Sequence, residues 1–204
     1  MHVDGYAGYN GLDGTVRVGC MAHVRRKFAE VIKLLPVGIT GSPTQIANDL
    51  IGKLYEVERR IKGLDHHVRH KVRTEESVPI LQKLKGWLDK TYPTVAPKSA
   101  LGRAMSYALD QWTEVSRLVE DGRLSIDNNI AERDIKSVAI GRKNWMFADS
   151  MEGMRASATM YSLVATAKAN GLNPFEYLRY VFETMPKLKT ADEPESLLPW
   201  NMPR

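Results

Sequence analysis

The 204-residue chain holds a single cysteine, Cys20, which excludes any internal disulfide. No apolar run approaches the ~20 residues of a membrane span, and no secretory leader opens the sequence. There is no internal repeat, and the apolar fraction of 43% lies in the range of ordinary globular proteins, which sets aside wholesale disorder. These absences lead us to expect a protein of a reducing cytosol with no membrane partner. A large excess of either charge is missing too: 29 Lys+Arg against 24 Asp+Glu give +5. This modest basic balance permits nucleic-acid binding without establishing it.

What is present begins with Met1-His2-Val3-Asp4-Gly5, which reads as the end of a short buried strand running into a turn. The chain is therefore expected to start within a domain. After a Gly-rich turn, Thr15 to Cys20 reads as a second strand, followed by a helix from Met21 that stops before Pro36. The pattern then becomes helical. Ser42-Pro43 supplies an N-cap and a first-turn proline, and Ile46, Leu50, Leu54, Val57 and Ile61 recur at helical spacing up to Gly63. A second helix is expected from about Glu75 to Tyr92, with Ile80, Leu81, Leu84, Trp87 and Leu88 as its buried stripe. A third starts at Ser99 and carries Leu101, Met105, Leu109, Trp112 and Val115. Roughly Ser42 to Glu120 thus resembles a small helical bundle. Further helices are expected from about Glu152 to Asn170, stopped by Gly171, and from Asn173-Pro174 to a point before Pro186. The tail from Lys187, with Pro194, Pro199 and Pro203, follows other surfaces or stays mobile.

The segment Ile126-Asp127-Asn128-Asn129-Ile130-Ala131-Glu132-Arg133 combines good N-caps with an acid in the first helical turn. Ile130, Ile135, Val138 and Ala139 suit a short, partly buried helix. Read alone, Glu132 is equally a glutamate placed to suit the helix dipole. Asp4 has two readings as well: Asp-Gly is a common turn pair, yet a strand end is where sheet-based sites place acids. Two carboxylates brought together can hold Mg²⁺ beside substrate phosphates, and a two-metal site with ions about 3.5 to 4 Å apart calls for a third acid. Nothing in the chain places one at an equivalent strand end.

Cys20 and His23 lack the second Cys/His pair of a structural zinc site. His66, His67 and His70 read as a solvated stretch between helices. His23 with Arg25 and Arg26 at a helix start suits a backbone phosphate, or else a buried histidine beside a solvated basic face. Arg133, Lys136, Arg142 and Lys143 surround Glu132, with Asn128 and Asn129 just before it. Trp145 suits stacking on a base, or a place in the core.

The blocks DGYAGY, CMAHVRRKF, PKSALGRAMSYALDQW, IDNNIAER, IGRKNWMF, YSLVATAKANGLNPFEYL and LLPWN occur in the order seen in bacterial transposases of the insertion-sequence-sixty-six family. By these blocks the chain resembles that family along nearly its whole length. The resemblance implies an α/β core, mostly helical overall, of partial ribonuclease-H-like fold interrupted by an all-helical insertion. On that basis residues 1–41 are core, 42–120 insertion, 121–186 the remaining core and C-terminal helices, and 187–204 a tail. It further implies a D-D-E triad binding Mg²⁺, or alternatively Mn²⁺, in which Asp4 matches the second aspartate and Glu132 the glutamate. Cys20 and His23 match a C-x-x-H signature of several such groups.

DNA, as transposon ends and target, is the implied partner, along with a homo-oligomer and accessory transposition proteins. A cytoplasmic, nucleoid-associated location follows from the same likeness. His23, Arg25, Arg26, Asn128, Asn129, Arg133, Lys136, Arg142, Lys143 and Trp145 would contact DNA. The family's first aspartate is absent, so the chain is expected to be an incomplete and inactive fragment. Lys136-Ser137 replaces the usual Arg-Pro and Met21 the usual Trp. The rival expectations are a non-catalytic remnant that binds DNA or a partner, and a metal-dependent nuclease of the same fold.

Overall fold

A computed structural model describes residues 1–6, 8, 11–36, 41–145, 148–188 and 193–203, with backbone only at 130, 145 and 193. These residues form two compact units, Met1–Ile130 and Ala131–Arg204. As expected, the chain is mostly helical with a very small sheet.

In the first unit, β1 (His2–Val3) pairs in parallel with β2 (Val18–Gly19), His2 opposite Val18 and Val3 opposite Gly19. The second strand is shorter than its β-branched run predicts, and Val16 is exposed ahead of it. Gly19 lets helix α6 (Trp112–Ser116) rest directly on β2, since a Cβ there would lie 2.7 Å from Val115 Cγ1 and 2.9 Å from its backbone nitrogen. From Cys20 the chain enters α1 (Met21–Ile32), which buries Met21, Val24, Phe28 and Val31. α1 packs against α2 (Pro43–Arg60) and α5 (Ala100–Asp110).

Ser42 Oγ caps α2 by accepting from the Gln45 N–H at 3.3 Å. The buried stripe of α2 is Ala47, Ile51, Leu54, Val57 and Ile61, whereas Ile46 is exposed. The sequence offers two adjacent apolar pairs, Ile46-Ala47 and Leu50-Ile51, and the smaller or later member faces inward in each. Likewise α5 presents Gly102, Ala104 and Ala108 inward beside Met105. A Cβ on Gly102 would stand 2.3 Å from the Ala96 carbonyl oxygen.

The helix expected from Glu75 begins nine residues earlier. Asp65 caps α3 (His66–Val72), which continues through a π turn, Arg73–Ser77, into α4 (Val78–Thr91). The histidines thus lie on a helix and not between helices. Inside a regular α-helix Pro79 could not donate and its ring would crowd the carbonyl four residues back. Here that carbonyl, of Glu75, belongs to the wider π turn, which accommodates the proline without ending the rod. Arg73 in this turn is fully buried. It forms a bidentate pair with Glu58 at 2.8 and 2.7 Å and donates to the carbonyls of Leu118, Asp121 and Leu124 at 2.8 to 3.0 Å.

The second unit comprises most of α7 (Asn129–Trp145), then α8 (Met151–Ala169) and α9 (Pro174–Thr184). Gly171 ends α8 at φ +72, a left-handed conformation that glycine adopts without Cβ strain. Asn173 caps α9, accepting from the Phe175 N–H at 2.9 Å. α7 is a long helix, not the short, partly buried one expected, and Ile135 and Ile140 on it are 62% and 56% exposed. A count of apolar residues along a helix does not say what covers them. Ala167, Tyr177, Val181 and Leu197 make the buried core of this unit. The tail follows α9: the Tyr177 hydroxyl donates to the Leu197 carbonyl at 2.9 Å. Among the described residues no helix is long and apolar enough to cross a membrane.

Candidate functional site

Three segments far apart in sequence converge in the first unit: β1 with Asp4 after it, the start of α1, and residues 125–129. The Met21 N–H donates to the Ile126 carbonyl at 3.0 Å and the Asn128 N–H to Cys20 Sγ at 3.3 Å. His2 Nε2 accepts from the Ser125 N–H at 3.4 Å. Burial, and then the N-terminal ammonium, lower the His2 pKa against the opposing pull of Asp127, which suits a neutral, accepting ring.

Asp4 is exposed immediately past β1. Its Oδ1 accepts from the Tyr6 N–H at 3.0 Å, and its carbonyl accepts from the Tyr107 hydroxyl at 2.8 Å. Gly5 turns the chain at φ +86. Burial, followed by the neighbouring Cys20 and Asp4, pushes the Tyr107 phenol up to about 12, so it stays a donor.

Asp127 does more than a cap requires. Its Oδ1 accepts from the Asn129 N–H at 3.2 Å and its Oδ2 from the Tyr55 hydroxyl at 3.4 Å. Burial and then Asp127 push the Tyr55 phenol well above its ordinary value. The Arg25 guanidinium lies 5.3 Å from the centre of the Tyr55 ring, a cation–π distance. Arg25 and Tyr55 are shared by two open clefts. One of about 630 Å³ also takes in Arg26, Lys33, Asn48 and Asn129; the other, of about 550 Å³, takes in Arg59, Lys62, Arg69 and Asp127. This unit therefore carries Asp4, His23, Arg25, Arg26, Asn128 and Asn129 on the turn after β1, on α1 and at the entry to α7. Sequence reasoning missed Tyr55, Tyr107, Lys33 and Lys62. The available signal was an aromatic, Tyr55, set off the buried stripe of α2.

In the second unit Glu132 occupies the first turn of α7, near the positive end of its dipole. Lys136 and Lys143 follow at i+4 and i+11 on the same helix face. Arg133 turns toward α8, lining a cleft of about 270 Å³ with Ser137, Val164 and Lys168. Arg142 and Lys143 are exposed in the last turns. The Trp145 side chain lies outside the described residues, so neither stacking nor core packing is assigned to it.

Residues 1–156 match the Transposase IS66 family, and residues 162–200 match the IS66 C-terminal element. Two proteins of Sinorhizobium fredii (strain NBRC 101917 / NGR234) are similar along almost the whole chain. Uncharacterized protein y4jD is 36% identical over 212 residues, covering 98% of this chain and 40% of the relative. Uncharacterized protein y4qI is 34% identical over 213 residues, covering 98% and 38%. The chain spans about two fifths of the length of these curated relatives. No solved structure matches it.

Proposed function

Since the chain belongs to the IS66 transposase family, we propose that it supplies two of the three carboxylates of a D-D-E DNA transposase. In this reading a ribonuclease-H-like core, residues 1–41 and 121–186, is interrupted by the helical insertion 42–120 and followed by the tail 187–204. The observation that carries the reading is the family match over residues 1–156, a stretch holding both Asp4 and Glu132.

The donor chemistry fits a hard cation. Asp4 offers an exposed carboxylate at a strand end, with a backbone hydrogen bond at Oδ1, and Glu132 offers a second oxygen donor at a helix start. Asp4 and Glu132 would hold Mg²⁺ or Mn²⁺ with a third acid. The ion, when bound, supplies charge stabilisation at the phosphoryl oxygens and a more acidic water. The reaction is hydrolysis of a phosphodiester at the transposon end, which frees a 3′-hydroxyl, then in-line attack of that hydroxyl on a target phosphodiester. No covalent enzyme intermediate is required.

The chain's own cations do the positioning. Arg25 and Arg26, beside the α1–α2 clefts, and His23 and Asn128–Asn129 near them would grip the DNA backbone. Lys136 and Lys143, on the Glu132 face, with Arg133 and Arg142 on the same helix, would do so in the second unit. Trp145 would stack on a base. Assembly with further copies and with accessory proteins, in the cytoplasm near the nucleoid, belongs to the same proposal.

The test places Asp4→Asn and Glu132→Gln at the matching positions of a full-length family member. Each change is expected to abolish end cleavage and strand transfer while leaving DNA binding intact. Strand transfer that persists removes that carboxylate from the triad.

A further inference from the structure

Asp65, His66, His67 and His70 play no part in the reaction above, yet they converge at the start of α3. One ligand atom from each of Asp65, His66 and His67 lies within 4.8 Å of the others. Asp65 divides its oxygens: Oδ1 accepts from the His67 N–H at 2.8 Å, and Oδ2 stands 3.4 Å from His66 Nδ1. The two imidazole rings have centroids 4.0 Å apart. His70 follows His66 by four residues, the helical spacing at which two imidazoles share one face and clamp one ion. All three histidines line a cleft of about 320 Å³ whose other side is Glu120, Asp121, Gly122 and Arg123.

That cleft is built by a close backbone approach. A Cβ on Gly122 would fall 1.8 Å from the His66 carbonyl oxygen and 3.0 Å from the His70 nitrogen, so only glycine lets the 120–123 turn lie this near α3. Across the cleft, the Asp121 carboxylate is occupied by the Arg123 side chain at 2.6 to 3.1 Å. The histidines and Asp65 make no such bidentate pair.

We propose that Asp65, His66, His67 and His70 form a binding site for a divalent transition-metal ion of the zinc class. Imidazole donors select such ions over Mg²⁺, which prefers oxygen. Tetrahedral zinc with ligands at about 2.0–2.1 Å sets neighbouring donors about 3.4 Å apart. Exposed side chains on adjacent residues reach that spacing by rotating about their χ angles. An ion held there fixes the first turn of α3. The site is separate from the carboxylates of the proposed triad and does not rest on that reading.

The experiment is a calorimetric titration of the untagged 204-residue chain with Zn²⁺ alone, repeated with Co²⁺ and followed by its visible absorption. The expected result is an ion bound in the micromolar range and not displaced by millimolar Mg²⁺. His66→Ala/His70→Ala is expected to weaken this binding about tenfold or more, with an unchanged circular dichroism spectrum, whereas His23→Ala retains it. Three results overturn the proposal: no Zn²⁺ binding by the parent chain, binding undiminished in the double variant, or binding lost with His23→Ala.

Discussion

In Met1–Ile130 the side chains of Phe28, Ile51, Leu54, Leu84, Leu88 and Met105 are fully buried against one another, whereas in Ala131–Arg204 Ile135, Ile140, Phe175, Phe182 and Trp200 are each more than half exposed. Full burial of such a side chain contributes about 1.5–3 kcal/mol. The first unit therefore carries a complete core of its own, and the second has a few buried residues around Tyr177. Cohesion is unequal along the chain, and it is greatest in the helices that lie between Asp4 and the entry to α7.

The sharpest test of this inequality is Arg73. Its removal takes the bidentate partner from the Glu58 carboxylate, leaving Arg69 at 3.6 Å, and removes one donor each from the carbonyls of Leu118, Asp121 and Leu124. Arg73→Ala is expected to destabilise the first unit by about 3–5 kcal/mol, read from urea unfolding followed by tryptophan fluorescence. A loss under about 1 kcal/mol would mean that the clamp contributes little net stability. Next comes Leu197→Ala, expected to cost about 2–3 kcal/mol and to speed amide exchange in α8 and α9 but not in α2 or α4. Equal acceleration in α2 would break the contrast between the units.

The smallest effect is expected at Tyr177→Phe, about 1 kcal/mol for the lost bond to the Leu197 carbonyl. Burial raises the Tyr177 pKa above its ordinary value of 10.0. The unfolded chain then ionises first, so this residue's contribution is complete below about pH 10 and is lost as pH rises through the folded value. Exchange protection of α9 should fall over that range in the parent chain, and fall less in Tyr177→Phe.

Features fixed by neighbouring residues were legible in the sequence. Ser42, Ser99 and Asn173 announce helix starts because a cap bonds a backbone N–H two or three residues on. Asp4 at a strand end and Glu132 in a first turn were read the same way. Features that depend on distant partners were not legible. The Tyr55–Asp127 and Arg73–Glu58 contacts join different elements, and nothing local marks either pair. The first half of the rod from α3 to α4 was hidden because the charged, exposed run around His66, His67 and His70 lacks the apolar stripe that marks a helix, and what holds it is the distant clamp of Arg73. The exposure of Ile135 and Ala139 was missed because periodicity reports a stripe and not its cover.

The π turn Arg73–Ser77 also sets how the gene can change. A single residue advances an α-helix by about 100°, so the one extra residue in this turn fixes the phase between α3 and α4. Deleting one codon here, with Leu81, Leu84 and Leu88 still seated, would swing His66 and His70 about a quarter turn away from the 120–123 turn. It would also return Pro79 to an ordinary α turn, against the carbonyl it now avoids. In this stretch, length is constrained as well as the identity of Arg73.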